Sequence, residues 1–143
     1  ITSITSSESE IPNIHRFIIV VKVDKEKIKK IIKQIEKQIE VIAAFSHTDK
    51  EIIYLQTALY KVKSKSLFKE RKIQNIIKDS RANIVTVKPD YFVIEKTGWK
   101  EETDELYNKL KKYGLLQFVR SGRISVSKES MEITKFLKSN KNE

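Results

Sequence analysis

A strand pattern over residues 115–127 constrains this fold more than any other feature of the sequence. Apolar and polar residues alternate along it, and a Ser-Gly pair between two arginines interrupts the alternation. Because successive side chains of a strand point to opposite faces, Arg120 falls on the same face as Phe118 and Ile124. An extra residue re-aims the side chains that follow it, so the pattern predicts a β-bulge at Gly122. We expect one long bulged strand that closes a sheet formed by the preceding residues.

The residues before this strand predict a split βαβ unit. Their order is strand, helix, strand, strand and helix, and the closing strand completes it. Gly114 stops the second helix, because glycine readily adopts the left-handed conformation that ends helices. The order β-α-β-β-α-β is that of the ferredoxin-like fold, so the predicted class is α+β. The predicted elements are a strand over 52–62, a helix over 66–80, strands over 83–87 and 91–96, and a helix over 101–112.

The first half of the chain repeats this pattern without its leading strand and helix. A weak edge strand within 1–12 and a β-branched strand over 14–23 come first. Asp24 then caps an amphipathic helix with isoleucines at helical spacing, and 40–45 predicts a further strand. We expect two tandem ferredoxin-like units, with the missing element of roughly 25–30 residues upstream of Ile1. The reduced unit would bury too little surface to be stable unless a second chain covers it.

A polar linker over 46–50 separates the two halves. The predicted domains are therefore a partial N-terminal unit over 1–48 and a ferredoxin-like domain over 49–130. Residues 131–143 are highly charged and form a tail, for which we expect a short helix followed by disorder.

The sequence offers no catalytic constellation. Its two histidines, His15 and His47, fall within a strand and within the linker, where a surface position is a simpler interpretation than a general base. No Walker A or dinucleotide-binding glycine motif occurs, and there is no cysteine. No apolar run reaches the ~20 residues of a membrane span. We therefore expect no catalytic residue, no metal site and no membrane partner.

The formal net charge of +10 permits binding to nucleic acid or to an acidic protein. Lysines are spread through every segment and form no single stripe, which favours ordinary surface positions. Ferredoxin-like RNA-binding modules also need a strand with stacking aromatic residues, and 120–123 has none. We therefore expect no nucleic-acid partner, and a basic nucleic-acid-binding module is kept as an alternative.

Three segments carry a family resemblance. Residues 1–21 resemble a family stretch of the form NIESLTV…SRMTIVV, and 33–41 resembles KQLxKLVDV. Residues 118–127, FVRSGRISVS, are similar to a closing IVRTGRVALAR. In this order and spacing, residues 1–130 resemble the small, regulatory subunit of acetolactate synthase (acetohydroxyacid synthase), an ACT-domain family.

This resemblance implies two ACT-like units and a role without chemistry of its own. The subunit would bind the large catalytic subunit, raise its activity and mediate feedback by valine in branched-chain amino acid biosynthesis. The resemblance places thiamine diphosphate, FAD and magnesium on the large subunit and no cofactor on this chain. It also implies a homodimer, and with the lysine- and isoleucine-rich composition it suggests a plastid or the bacterial cytoplasm.

The resemblance also suggests functional residues. Ile1, Ser3 and Arg16 fall in the region of the family's effector-binding ACT interface, and Gln34 and Gln38 lie on the helix that we expect to contact the large subunit. The family's valine site also uses a loop of the form ENExGxLxRV and an asparagine just before the position of Ile1. The sequence contains neither, so valine binding would require an upstream loop. A standalone ACT amino-acid sensor attached to another enzyme is the second alternative.

Overall fold

The structure is a computed structural model that describes residues 1–69 and 71–129. The predicted tail, 131–143, lies outside the described residues. Contacts between residues divide the chain into two units, which are described in turn. The first unit is Ile1–Val20 with Leu55–Ile124, and the second is Val21–Tyr54 with Ser125–Glu143.

Seven strands and four α-helices make up the described residues, and a short 3₁₀ turn follows the last helix. The elements in chain order are β1 (Ser3–Glu8), β2 (His15–Val20), α1 (Lys25–Glu36), β3 (Ile52–Lys63), α2 (Ser64–Lys69), α3 (Arg71–Asp79), β4 (Asn83–Val87), β5 (Tyr91–Gly98), α4 (Lys100–Leu110), β6 (Leu115–Arg120) and β7 (Ile124–Ser127). The helix predicted over 66–80 corresponds to α2 and α3, which are described on either side of position 70.

The sheet of the first unit has the strand order β4-β5-β3-β6, with antiparallel neighbours. Its central strand β3 places Tyr60 opposite Ile94 of β5 and opposite Phe118 of β6. With α2 and α3 after the first strand and α4 after the third, this order confirms the predicted ferredoxin-like βαββαβ arrangement. Gly114 has a φ of 80°, the left-handed conformation expected where a helix ends.

The buried core of the first unit comes from this sheet and its helices. The fully buried Tyr60 hydroxyl donates a hydrogen bond of 2.5 Å to the Thr103 carbonyl oxygen, which satisfies the only polar atom of that ring. Burial also raises the pKa of Tyr60 far above its ordinary value. The buried apolar residues are Ala58, Tyr60, Val62, Leu67, Ile73, Ile77, Phe92, Ile94, Leu106 and Leu110.

Strands β1 and β2 form a separate two-stranded antiparallel sheet in the first unit. The register pairs Ile4 with Ile19 and Thr5 with Ile18. Ile4, Phe17 and Ile19 share one face and are 56%, 64% and 44% exposed. Thr5 and Ile18 point to the other face and are half-buried. A two-stranded sheet with an open apolar face is at best marginally stable by itself.

Helix α1 is the main regular element of the second unit. As predicted, Asp24 is its N-cap, and the Asp24 carboxylate accepts a hydrogen bond of 2.8 Å from the Lys27 N–H. No residue of α1 is buried. The strand predicted over 40–45 is wrong, because residues 41–48 have no regular structure. An apolar run becomes a strand only beside another strand that pairs with its backbone, and no described strand pairs with 40–45.

The long closing strand predicted over 115–127 is two strands. Both β6 and β7 pair with β3, and residues 121–123 between them lie outside either strand. The register shift in β6 lies at Leu116, because Lys61 pairs with Gln117 whereas Val62 pairs with Leu115. The sequence therefore predicted the interruption at Gly122, and in the structure residues 121–123 divide the predicted strand into β6 and β7.

Candidate functional site

The described residues contain no group of three or more His, Asp or Glu side chains that could hold a metal ion. His15 on β2 and His47 in the loop before β3 are both exposed, and they lie on different elements. No helix in the described part of the chain is long and apolar enough to cross a membrane. The candidate functional groups are therefore polar side chains on the strands and helices, and each is described below by its contacts and exposure.

Arg120 at the end of β6 is the centre of a partly buried polar cluster. Its Nη1 donates hydrogen bonds of 3.1 Å to Thr103 Oγ1 and 2.5 Å to Asp104 Oδ1, both on α4. Its side chain is only 21% exposed, and the guanidinium carbon lies 5.6 Å from the centre of the Phe118 ring. Acceptors on α4 therefore satisfy the arginine on the apolar face. Beyond 121–123 the pattern of burial is reversed, because Ile124 and Val126 are exposed whereas Phe118 and Arg120 are half-buried.

Asp104 has a second cationic partner. Lys100 Nζ lies 2.9 Å from Asp104 Oδ2, one helical turn away. The hydrogen bond from Lys100, followed by that from Arg120, lowers the pKa of the Asp104 carboxyl below its ordinary value. The carboxylate thus stays ionised at neutral pH and joins α4 to the last residue of β6.

Ser121 and Gly122, the two residues after β6, contact the neighbouring strands β3 and β1. The Ser121 N–H donates to the Thr57 carbonyl oxygen at 2.8 Å, and the Thr57 N–H donates to Ser121 Oγ at 3.0 Å. A Cβ atom at Gly122 would clash with Thr5 Oγ1 of β1. Glycine at 122 therefore lets the β1–β2 hairpin approach the end of β6 closely.

The predicted effector residues lie on the β1–β2 hairpin, but not together. Ile1 and Ser3 are at one end, where Ser3 pairs with Val20. Arg16 is near the other end, opposite Ser7, and its Nη2 lies 3.1 Å from the Glu10 carboxylate. Four residues of strand, about 13 Å, separate Ser3 from the position opposite Arg16. One copy of the hairpin therefore does not bring the predicted set into a single pocket.

The predicted contact residues Gln34 and Gln38 do lie side by side. Gln34 is on α1 and Gln38 follows its C-terminal end, and both are exposed. The Gln38 side-chain amide donates to the Gln34 carbonyl oxygen at 3.5 Å. They form a small polar patch at the C-terminal end of α1.

A row of lysines on α1 was missed by the sequence reasoning. Lys25, Lys29, Lys33 and Lys37 are spaced by four residues, so they lie one above the other along one side of the helix. All four are exposed. Lys27 and Lys30 of the same helix lie off this row, so the row is a feature of spacing within α1 and leaves the wider spread of lysines along the chain unchanged. The period of four was readable from the sequence once the helix itself had been predicted.

Comparisons with known proteins agree on one family. Residues 56–129 match the family described as the small subunit of acetolactate synthase. The acetolactate synthase small subunit of Bacillus subtilis is 31% identical over 133 residues, which span 92% of this chain and 77% of that protein. The probable acetolactate synthase small subunit of Methanothermobacter thermautotrophicus is 30% identical over 130 residues, 91% of this chain and 77% of its own length.

Solved structures agree with the sequence relatives. The crystal structure of the acetolactate synthase small subunit from Thermotoga maritima matches this chain with a TM-score of 0.80 at 26% identity. The match covers 91% of this chain and 81% of that one. The antiparallel βαββαβ unit, the hairpin and α1 thus define a tandem ferredoxin-like protein of the ACT-like class. Within that class the chain belongs to the acetolactate synthase small-subunit family, as the sequence resemblance predicted.

Proposed function

We propose that this chain is the non-catalytic regulatory subunit of acetolactate synthase, which binds the large catalytic subunit and raises its activity. The observation that carries the proposal is the extent of the similarity: 92% of the chain aligns with the small subunit of Bacillus subtilis. Activation by binding requires only that the small subunit prefer the active conformation of its partner to the inactive one. A protein without reactive groups of its own can therefore raise the rate of another.

The cofactors of the reaction would belong to the partner in this proposal. Thiamine diphosphate, FAD and magnesium would bind to the large subunit, which condenses pyruvate with a second 2-oxo acid. Between residues 1 and 129, position 70 aside, no cluster of acidic or histidine side chains offers a magnesium site on this chain. The chain would contribute contact surface and conformational preference alone.

Feedback by valine is the finer part of the proposal, and its tests use the chain together with the upstream loop that the resemblance requires for valine binding. The valine carboxylate needs a cation or backbone N–H groups, and Arg16 could supply a guanidinium if the ligand displaced or shared Glu10. Ile1 and Ser3 lie at the opposite end of the same hairpin. In a two-fold homodimer, two hairpins can lie antiparallel, so that the Ser3 end of one copy meets the Arg16 end of the other. We therefore place the effector site at the interface of two copies.

The primary experiment mixes the chain with the large subunit from the same organism and measures acetolactate formation. We expect the rate to rise severalfold to a plateau as the chain is added, and to fall when valine is present. No complex in size-exclusion chromatography and no change in rate would overturn the proposal. Activation without a valine effect would support the regulatory role and remove only its feedback part.

The proposed effector residues can be tested separately. Calorimetric titration of valine should give weaker binding for R16Q than for the unsubstituted chain, because the variant lacks a cation for the carboxylate. R81Q removes another exposed arginine and is the control. Equal affinities for the two variants would show that Arg16 does not hold the effector.

The polar patch of Gln34 and Gln38 has its own test. The double variant Q34A/Q38A should need a higher concentration than the unsubstituted chain to reach half-maximal activation. Q117A removes an exposed glutamine of β6 and should activate normally. Identical activation curves for all three proteins would remove the two glutamines from the proposed contact. A location in a plastid or in the bacterial cytoplasm stays a prediction, and the relatives compared above are bacterial and archaeal.

A further inference from the structure

The lysine row, defined as Lys25, Lys29, Lys33 and Lys37, has a charge arrangement that the fold does not require. Successive members are one turn apart, so like charges stand at i+4 spacing, which destabilises a helix; Glu26 and Glu36 lie three residues from Lys29 and Lys33 and offset part of this repulsion. The row runs about 18 Å along the helix at 1.5 Å per residue. At about 100° of rotation per residue, Lys29, Lys33 and Lys37 lie on the side away from the half-buried isoleucines of α1, whereas Lys25 lies next to them.

Helix α4 of the same chain has the more usual arrangement, in which residues four apart carry opposite charges. Its charged residues at the same spacing pair with opposite charges, Lys100 with Asp104 and Glu105 with Lys109, each at 2.9 Å. By contrast, Lys29, Lys33 and Lys37 form no salt bridge with any residue in the described parts of the chain. A general excess of lysine in the sequence does not explain this difference. Lysines of α4 form salt bridges with acidic residues, whereas those of the row on α1 follow one another at i+4 spacing.

The helix dipole explains only part of the row. Cations are favourable near the last turn of a helix, where Lys33 and Lys37 lie, and unfavourable near the first turn. Lys25 and Lys29 are in the first half of α1, at the end where acidic residues are favoured. The repulsion within the row would be relieved by an anionic surface of matching length.

We propose that the lysine row docks on an acidic strip of the large catalytic subunit. This inference rests on the proposed function, since it names the surface and the chemistry of the partner that the regulatory role requires. The composition of α1 favours a protein over a nucleic acid, because the helix contains neither arginine nor an aromatic residue. Arginine forks and stacked aromatic rings are the usual means of holding phosphates and bases.

The experiment measures the dissociation constant of the full chain and the large subunit at 50 and 200 mM salt. The variant K29Q/K33Q/K37Q removes three charges from the row. The control K72Q/K88Q/K112Q removes three charges from exposed lysines outside α1, so both variants have the same net charge. At 50 mM salt we expect at least a tenfold larger dissociation constant for the row variant and less than a twofold change for the control. The row variant should also show a weaker salt dependence, because fewer charges are screened.

Each outcome has one meaning. Equal affinities of the row variant and the control for the large subunit would overturn the inference and leave the proposed function intact. If the unsubstituted chain does not bind the large subunit at all, the proposed function itself fails. A 20-nucleotide single-stranded RNA is the probe for the other partner class. RNA binding that depends on the row, with binding to the large subunit unchanged, would also overturn the inference.

Discussion

Gly122 leaves no room for a larger side chain in the first unit. A Cβ atom there would clash with Thr5 Oγ1, and the hydroxyl belongs to a β-branched residue with a stiff side chain. Overpacking of this kind forces neighbouring atoms to move, so G122A should lower the free energy of unfolding by about 1–3 kcal/mol. Urea denaturation of the two proteins measures the difference.

Thr5→Ala is the matched control for this contact. Thr5 Oγ1 is buried and has no hydrogen-bond partner among the described residues, so T5A alone should cost little. In the T5A background, G122A should cost clearly less than it does alone, because the clashing atom is gone. Strictly additive costs in this double-mutant cycle would show that the hairpin does not pack on residue 122.

Asp104 gives a prediction about pH. Its folded-state pKa lies below the ordinary value of 3.8, first because of Lys100 and then because of Arg120. The ionised carboxylate therefore stabilises the fold above pH 3.8, and this contribution is lost as the pH falls through the lower folded-state value. D104N should be less stable than the unsubstituted chain at pH 7, by no more than about 1 kcal/mol because solvent screens a partly exposed pair. The two proteins should converge in urea denaturation as the pH falls below the lowered pKa of Asp104.

The neighbouring ion pair provides the comparison for Asp104. E105Q removes a carboxylate from a similar pair on the same helix, but Glu105 contacts only Lys109 at the surface. D104N should therefore cost more than E105Q at pH 7. Equal costs, or a D104N difference that does not shrink in acid, would contradict a stabilising role for the contact with Arg120.

Arg120 also shows what a sequence can reveal about a single residue. The parity of the strand identified an arginine on an apolar face, and that observation was correct. The acceptors that satisfy it, Thr103 and Asp104, are on a helix 16 and 17 residues earlier in the chain. Strand periodicity says nothing about which helix residues will face a strand, so the solution could not be predicted from the pattern alone.

The stability of helix α1 depends more on its capping interactions than that of a buried helix does. None of its residues is buried, and its N-terminus is closed by the bond from Lys27 N–H to the Asp24 carboxylate. Loss of such a cap costs about 1 kcal/mol, so D24A should speed hydrogen exchange of the α1 amides. D24N keeps a side-chain oxygen acceptor and should exchange nearly as slowly as the unsubstituted chain. Unchanged exchange in D24A would show that the cap does not hold the helix.

At the scale of elements, the periodicity of apolar residues predicted helices and strands correctly where the apolar residues pack in the core. Helices α2 to α4 and strands β3, β5 and β6 follow the predictions within a few residues, because their apolar residues meet in one core. The run over 40–45 is also mostly apolar, but no described strand pairs with it, and 41–48 have no regular structure. Composition therefore indicates a capacity for strand formation, and a pairing partner decides the outcome.

For the whole molecule, the two predicted domains, 1–48 and 49–130, differ most in how many apolar residues they bury. Among the residues whose burial is described, the ten buried apolar ones all lie between Ala58 and Leu110, and none lies in the predicted N-terminal unit 1–48. Burial of apolar surface is the main favourable term in folding, so the two parts should differ in local stability. The tandem architecture was predictable because the second half supplies a complete pattern with which the first can be compared.

Hydrogen exchange of the full chain tests this contrast and its relation to the partner. Amides of β3, β5 and α4 should exchange only by global unfolding, which for a domain costs roughly 5–15 kcal/mol, whereas those of β1, β2 and α1 should exchange first. When the large catalytic subunit is added, α1 amides should slow, because a docked helix opens less often. An unrelated acidic protein at the same concentration is the control and should leave α1 unchanged. Uniform protection along the free chain would contradict the difference in stability, and unaltered exchange of α1 in the complex would contradict docking through that helix.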